Sequence, residues 1–250
     1  MKAAILTWNV NGLGTSWREL VSIVDELHPD VVCLQETKHP NPFPTLPGYE
    51  CFSSPFQRVH HHGSAMYVRT AMNAQEIQLR PELTGHVVAV QLPGGAVVVS
   101  MYTKNSGNPE NGDNMRQKFD EIAWSEIKRI RVPDSQLVVA GDLNCCLELG
   151  DHFSGKMNHT YAGQKPYEIA TLKREMSALG LHDTYMHLNP NHTGERWTYW
   201  SLRFGSKLPP RGGPYGKGWR LDYVLCTMPV FKSAEVLPTV TSDHRPIVLY

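Results

Sequence analysis

The chain has 250 residues, enough to bury a large core, and we expect one domain spanning residues 1–250. Its five cysteines have no CxxC spacing, and no apolar run approaches the roughly 20 residues that cross a bilayer, which argues against a disulfide framework, a structural zinc site and a membrane span. Lys and Arg number 24 and Asp and Glu number 24, so a polyanion would have to be attracted by a local patch.

Short apolar runs bounded by Gly, Pro, Asn or Asp predict buried strands. In chain order they are residues 2–8, 30–35, 63–68, 87–92, 96–102 and 137–141, followed by 219–226 and a C-terminal strand near residue 247. Residues 87–92 and 96–102 are joined through Gly94-Gly95 with no helix between them, which predicts a hairpin within a mixed sheet.

Helical spacing of apolar residues predicts three amphipathic helices. The first covers residues 17–27 after an N-cap at Ser16, the second covers residues 115–130, and the third covers residues 167–178. The combined pattern predicts two mixed sheets with helices outside them.

Polar side chains stand where several of these apolar runs end. Glu36 follows the buried run 31–34, and its carboxylate could bind a hard cation through oxygen, as Mg²⁺ prefers. Asn9 and Asn11 offer neutral oxygens at the end of the first strand. Each of these residues taken alone is more often an ordinary polar strand end or a turn.

Asp142 and Asn144 leave the most apolar strand, and their i, i+2 spacing would place both side chains on one side if the extended geometry continued. Asp222 interrupts a second buried strand, where an unpaired carboxylate would be costly. We therefore expect His244, which stands beside Asp243 near the C-terminus, to be its partner.

These segments together resemble the exonuclease III type of apurinic/apyrimidinic (AP) endonuclease, within the endonuclease/exonuclease/phosphatase superfamily. The motifs occur in the order of that family, and the resemblance covers nearly the whole chain. They are WNVNGL (8–13), LQETK (34–38), YTKN (102–105), GDLN (141–144), WTYW (197–200), GWRLDY (218–223) and SDHRPI (242–247).

The resemblance implies an α/β (α+β) fold, a four-layer αββα sandwich of two mixed β-sheets flanked by helices. It also implies a class II AP endonuclease that hydrolyses the phosphodiester 5′ to an abasic site and leaves a 3′-hydroxyl, with 3′-phosphodiesterase and 3′→5′ exonuclease activity. The expected partner is double-stranded DNA containing abasic sites. The protein is expected to be an intracellular monomer without membrane attachment, in the cytoplasm of a prokaryote or in the nucleus or an organelle of a eukaryote.

The family's roles carry over to matching positions of this chain. Mg²⁺, for which Mn²⁺ would substitute, is expected at Glu36, Asn9, Asn11 and Asp243. Asp142 resembles the residue that positions or deprotonates the attacking water, and Asp222 resembles the residue that orients His244. The groups expected to hold the scissile phosphate are Asn144, Tyr102, Asn105 and His244.

Trp219, Leu221 and Tyr199 resemble the walls of a pocket for an extruded, base-less deoxyribose, although large apolar side chains more often serve only core packing. The candidates for DNA phosphate contacts are Lys38, Arg116, Arg203, Lys217 and Arg220. The alternative for each of these cations is a solvated surface charge. The triplet at residues 60–62 is all histidine, but it lacks the neighbouring ligands of a metal site.

Two other functions stay open. Residues 14–16, Gly-Thr-Ser, lack the basic residues that the family often has after the first Asn-Gly-Leu, and the net charge is zero. The same catalytic core could therefore act on RNA, a nucleotide or a phospholipid head group. A DNA-binding or scaffold protein with a relic site is disfavoured, because the catalytic residues are intact.

Overall fold

The computed structural model describes residues 4–55, 62–107, 110–190, 196–200, 218–228 and 230–250. The helices are α1 (Leu13–Leu27), α2 (Gly112–Ile130), α3 (Pro166–Leu179) and α4 (Thr184–Leu188). The strands are β1 (Ile5–Asn9), β2 (Val31–Gln35), β3 (Tyr49–Ser54), β4 (Ser64–Arg69), β5 (Gln75–Glu76), β6 (Val87–Gln91), β7 (Val97–Tyr102), β8 (Leu137–Asp142), β9 (His182–Asp183), β10 (Tyr199–Trp200), β11 (Gly218–Trp219), β12 (Asp222–Cys226), β13 (Ala234–Val236) and β14 (Ile247–Leu249).

Two six-stranded mixed sheets form the centre of the fold. The first has the order β13-β14-β1-β2-β4-β3, the second has the order β5-β6-β7-β8-β12-β9, and β10 pairs with β11 in a small separate ladder. The pairs β1–β2 and β7–β8 are parallel, whereas the pair β6–β7 is the predicted antiparallel hairpin.

Alternation along the strands explains how the sheets stack. Ile5 points into the apolar layer between the two sheets, while its neighbour Leu6 packs under α1 on the outer face of the first sheet. Val98 likewise faces the inter-sheet layer, and Val99 packs with α2 and α3 on the outer face of the second sheet. The layers are therefore helix, sheet, sheet, helix, which confirms the predicted αββα sandwich.

Two local predictions are wrong. Helix α1 begins at Leu13, and Ser16 lies within it, buried, with its hydroxyl donating to the carbonyl of Val10 at 2.8 Å. The predicted strand 219–226 is broken between β11 and β12, because the backbone N–H groups of Leu221 and Asp222 both donate to the hydroxyl of Thr198 at 3.1 Å. No helix in the described part of the chain has the length and apolar character needed to cross a membrane.

The strand registers bring the polar strand ends together. Asn9 pairs with Gln35 at the ends of β1 and β2, which places Glu36 next to Asn9. In the second sheet Asp142 pairs with both Tyr102 and Asp222. The ends of both sheets therefore contribute side chains to one region.

Candidate active site

Asp222, His244 and Asp142 form a buried line of polar groups at the edge of both sheets. The Asp222 carboxylate contacts Nδ1 of His244 at 2.8 Å, as predicted, and Nε2 of His244 lies 3.8 Å from the Asp142 carboxylate. One ligand atom from each of the three residues lies within 4.8 Å of the others. This acidic cluster could hold a metal ion, and it also fixes the orientation of the imidazole.

The environment sets the protonation of this line. Burial alone would lower the pKa of His244, but the carboxylates of Asp222 and Asp142 outweigh it and raise the pKa to about 10. Burial raises the pKa of Asp142 to about 7, although the nearby His244 cation acts in the opposite direction. A cationic imidazole therefore faces a carboxylate that can exchange a proton near neutral pH, which suits general-base chemistry.

Asn9 connects this line to Glu36. Its side-chain amide donates to Asp142 at 2.9 Å and to Glu36 at 3.2 Å, and its side-chain carbonyl accepts the N–H of Asn11 at 3.1 Å. In this arrangement the Asn9 amide orients two carboxylates. A role of Asn9 at a metal ion stays a prediction.

The surroundings of Glu36 fit a hard cation. The ammonium of Lys38 contacts the Glu36 carboxylate at 2.9 Å and donates to the side-chain carbonyl of Asn11. Asn11 in turn donates to Asp243 at 2.9 Å. Lys38 thus places a positive charge among carboxylate and carbonyl oxygens, which are the donors that Mg²⁺ prefers. Burial would raise the pKa of Glu36, but Lys38 lowers it below its usual value and keeps the carboxylate charged.

Several site residues adopt the left-handed backbone region that non-glycine residues seldom occupy. The φ angles are 45° at Asn11, 48° at Glu36, 49° at Lys38 and 45° at Asn144. Such conformations persist only where surrounding contacts hold them, and they concentrate at functional sites. The extended backbone that was predicted to continue from Asp142 through Asn144 therefore does not include Asn144.

Asn144 nevertheless meets Asp142, because the turn folds back on itself. The Asn144 N–H donates to the Asp142 carboxylate at 2.9 Å, and its side-chain amide donates to the carbonyl of Thr103 at 2.8 Å. Asn105 donates to the side-chain oxygen of Asn144 at 3.3 Å. The Tyr102 hydroxyl interacts with Glu36 and Asn144, and burial together with the negative charge of Glu36 raises its pKa well above the usual value.

A cavity of about 660 Å³ opens over these groups. Trp219, Leu221 and Tyr199 line it, as predicted, with the rings of Tyr199 and Trp219 5.6 Å apart and the rings of Tyr199 and His244 4.8 Å apart. Residues 160–165, which include the half-exposed Tyr161, also line the cavity and were not predicted. Nothing in that polar loop distinguished it from an ordinary surface connection.

The sequence also matches a known protein family. The model of the Endonuclease/Exonuclease/phosphatase family matches residues 6–244. The chain belongs to this family. The predicted enzyme class, a metal-dependent phosphodiesterase of the nuclease type, is confirmed at this level.

Several similar proteins align with almost the whole length of this chain. Recombination repair protein 1 of Drosophila melanogaster is 26% identical over 98% of the chain, which spans only 36% of that relative. The DNA-(apurinic or apyrimidinic site) endonuclease of Dictyostelium discoideum is 26% identical over 97% of the chain and 69% of its own length. The exodeoxyribonuclease of Bacillus subtilis is 25% identical over 98% of both. The predicted resemblance to this group is confirmed.

The solved structure of the AP endonuclease LMAP from Leishmania major has the same fold. It superposes with a TM-score of 0.82 at 24% identity and covers 98% of this chain and 86% of its own.

Two predicted DNA contacts of this family member are wrong. Arg116 is 2% exposed and pairs with the buried Asp120, and Arg220 is 1% exposed and pairs with Asp183 and the buried Asp151, so neither can reach a phosphate at the surface. Arg203 and Lys217 lie outside the described residues, as do two of the three histidines at 60–62.

Arg220 instead anchors the cavity wall. Its guanidinium donates to both oxygens of Asp183 at 2.6 Å and lies 3.5 Å from Asp151, with its plane 4.4 Å from the Tyr223 ring. Its backbone N–H donates to the Asp151 carbonyl at 2.8 Å. These contacts fix the backbone between Trp219 and Leu221.

Arg220→Met should lower the free energy of unfolding by about 3 kcal/mol, because it leaves the partly buried Asp183 without its cation and leaves the buried Asp151 with Arg196 alone. Urea unfolding followed by circular dichroism measures the change. The control is Lys173→Met, which breaks a pair with Glu148 whose side chains are 50% and 61% exposed and should cost under about 1 kcal/mol. Equal losses in the two variants would contradict the anchoring role of Arg220.

Proposed function

We propose that this protein is a Mg²⁺-dependent class II AP endonuclease of DNA base-excision repair. It would hydrolyse the phosphodiester 5′ to an abasic site and leave a 3′-hydroxyl, with 3′-phosphodiesterase and 3′→5′ exonuclease activity. One observation carries the proposal: the paired line of Asp222, His244 and Asp142 meets the Glu36 oxygen cluster under a cavity walled by Trp219 and Leu221. The names of the relatives from Dictyostelium and Bacillus support the same substrate class.

The metal ion is proposed to be held by Glu36, with Asn9, Asn11 and Asp243 around it. When bound there, it would neutralise charge on the phosphoryl oxygens. The neighbouring cation Lys38 would have to leave the Glu36 carboxylate, since both occupy the same oxygen donors.

The chain's own residues supply the proton chemistry. Asp142 accepts the proton of the attacking water, and the Asn144 N–H keeps its carboxylate in position. His244, protonated and held by Asp222, donates a charge-assisted hydrogen bond to a phosphoryl oxygen. Asn105 and Asn144, which also line the cavity, bind the same group, and Tyr102 lies between them and Glu36.

The cavity walls select the substrate in this proposal. Trp219, Leu221 and Tyr199 offer aromatic and aliphatic surface beside His244, as an extruded deoxyribose without a base would need. Extrusion costs least where no base is paired or stacked. Selection therefore follows from the low cost of flipping and from the shape of the pocket.

The test uses a 5′-labelled duplex with one chemically reduced abasic site, which prevents spontaneous β-elimination. We expect cutting only 5′ to the lesion in Mg²⁺ or Mn²⁺, none in excess EDTA, and recovery when Mg²⁺ is restored. Glu36→Gln should need far more Mg²⁺ for the same rate, because the cation loses its charged ligand. Full activity in EDTA would refute the metal requirement, and an uncut duplex with folded protein would refute the substrate.

A second candidate is a phosphodiesterase of the same family that acts on RNA or another phosphodiester. The burial of Arg116 and Arg220 favours it, because it removes two of the cations expected to hold duplex DNA, in a chain of zero net charge. A panel of abasic duplex, 3′-blocked duplex, single-stranded RNA and a small phosphodiester, each in Mg²⁺, separates the two. The higher kcat/KM for abasic duplex is the result expected from the first proposal.

A further inference from the structure

Three segments that line the cavity meet at one buried side chain, Arg116 of helix α2. The first is the turn at residues 102–105 after β7, the second is the turn at residues 142–146 after β8, and the third is the segment at residues 163–168 that enters α3. Arg116 does not line the cavity itself.

The guanidinium donates to a backbone carbonyl in each of the first two segments. It reaches the carbonyl of Lys104 at 3.2 Å, the carbonyl of Leu143 at 3.2 Å and the carbonyl of Asn144 at 3.1 Å. These acceptors belong to the residue before Asn105 and to the turn that carries Asn144. A planar group with fixed donor directions can span such separated acceptors, and a lysine ammonium cannot.

Two carboxylates hold the guanidinium in place. Asp120, one helical turn along α2, accepts from Nε at 2.8 and 2.9 Å, and Glu168 in the first turn of α3 lies 3.4 Å from Nη1. Glu168 also accepts the backbone N–H of Lys165 at 3.0 Å, so it ties the third segment to the same cluster. Burial alone would lower the pKa of Arg116, but Asp120 and Glu168 outweigh it and raise the pKa, which keeps the cation charged.

The contacts bear on the two asparagines of the cavity. Asn144 adopts a left-handed φ of 45°, which needs support from its surroundings. Arg116 donates to the carbonyls of the two peptide units that flank the Asn144 Cα, and the side chains of Asn105 and Asn144 are joined at 3.3 Å. Fixing both turns to one rigid group sets the spacing of the two amides.

We propose that Arg116 is a positioning residue that holds Asn105 and Asn144 at the spacing required to bind the scissile phosphate. The proposal rests on the function proposed above, because it takes the two asparagines as phosphate ligands. Arg116 acts through them and contacts no substrate. Its role differs from that of Arg220, which anchors the wall at Trp219 and Leu221.

The kinetic test is a double-mutant cycle between Arg116→Lys and Asn144→Ala. Arg116→Lys keeps the charge, but a lysine cannot reach all three backbone carbonyls. The change should lower kcat roughly 100-fold, as expected for a displaced catalytic group. In the Asn144→Ala background the same change should lower kcat by less than about tenfold, because one of the two asparagines through which Arg116 acts is gone and only Asn105 remains. Equal losses in both backgrounds would overturn the proposal.

A matched control separates positioning from stability. Glu126 is also buried on α2 and pairs with Arg80 at 3.2 Å and with Arg129 at 2.7 Å, far from the two turns. Glu126→Gln should lower the melting temperature and leave kcat within about twofold of wild type, as for a site that shares no partner with the active site. If kcat falls in proportion to the loss of stability in both Glu126→Gln and Arg116→Lys, then instability explains both losses of kcat, and Arg116 has no positioning role.

Hydrogen exchange tests the geometry without any substrate. Arg116→Lys should speed amide exchange in residues 103–107 and 143–147, and Glu126→Gln should leave those peptides unchanged. If wild-type protein cuts no abasic duplex, the proposed function fails. The exchange measurement still tests whether Arg116 holds the two turns. Unchanged exchange in Arg116→Lys would overturn the positioning role whatever the substrate is.

Discussion

Asp142→Asn should lower kcat for abasic duplex by a factor on the order of 10³–10⁴ and leave the protein folded, as expected for the loss of a general base. Asparagine has the same shape but accepts no proton at neutral pH. The wild-type carboxylate accepts hydrogen bonds from Asn9 at 2.9 Å and from the Asn144 N–H at 2.9 Å, and the amide can keep one of them. The variant therefore removes the chemistry while disturbing the packing little.

The stability of the same variant should equal or exceed that of wild type. Burial raises the pKa of Asp142 to about 7, which means that its charge is unfavourable where it stands. A neutral amide relieves that cost, and catalytic groups commonly carry such a penalty. Thermal melting beside single-turnover cleavage measures both properties on one preparation.

The control for Asp142→Asn is Asp25→Asn, which changes an exposed acid on the outer face of α1. It should alter neither rate nor melting temperature beyond experimental scatter. Cleavage by Asp142→Asn within tenfold of wild type would remove Asp142 from the role of general base. Unfolding of the variant would contradict the account of its packing.

The positions of the candidate catalytic side chains were predictable because they depend on where strands end. Apolar runs predicted the strands, and the parallel pairing of β1 with β2 places Glu36 beside Asn9. The partnership of Asp222 with His244 followed from the cost of a buried, unpaired carboxylate. Both inferences use short-range patterns that the sequence displays directly.

Arg116 and Arg220 were misassigned because burial of a charge depends on distant partners. Arg220 contacts Asp183, and Arg116 contacts Glu168 in addition to Asp120 one helical turn away; Asp183 and Glu168 are distant in sequence. A local pair such as Arg116 with Asp120 is usually solvated on a helix surface, and the sequence does not show the distant carboxylate that accompanies its burial. The DNA contact of Lys38 stays a prediction. Its carboxylate partner Glu36 is close in sequence, but the left-handed backbone angles at both residues, which bring the two side chains together, could not be predicted.

The local errors in the fold have the same origin. A serine before an apolar periodic run predicts an N-cap. Ser16 instead lies within the helix, buried, and its hydroxyl donates to the carbonyl of Val10, which precedes the helix. The interruption between β11 and β12 is produced by Thr198, which is more than twenty residues away and accepts two backbone N–H groups. Periodicity therefore locates elements more reliably than their ends.

The second large effect should come from the Asp222–His244 pair. His244→Asn should lower kcat by roughly 10²–10³, because it removes a charged donor aimed at the phosphoryl oxygens. Asp222→Asn should cause a loss of similar size. Asp222 is the carboxylate that contributes most to raising the pKa of His244, and it also fixes the orientation of the imidazole at 2.8 Å.

The double variant decides whether the two residues act as one unit. If Asp222 works only through His244, then Asp222→Asn combined with His244→Asn should be no slower than His244→Asn alone, as for other catalytic groups that act together. Steady-state cleavage of the reduced abasic duplex gives kcat for all four proteins. Multiplied losses in the double variant would mean that Asp222 has a separate role, and a wild-type rate in His244→Asn would exclude the imidazole from phosphate binding.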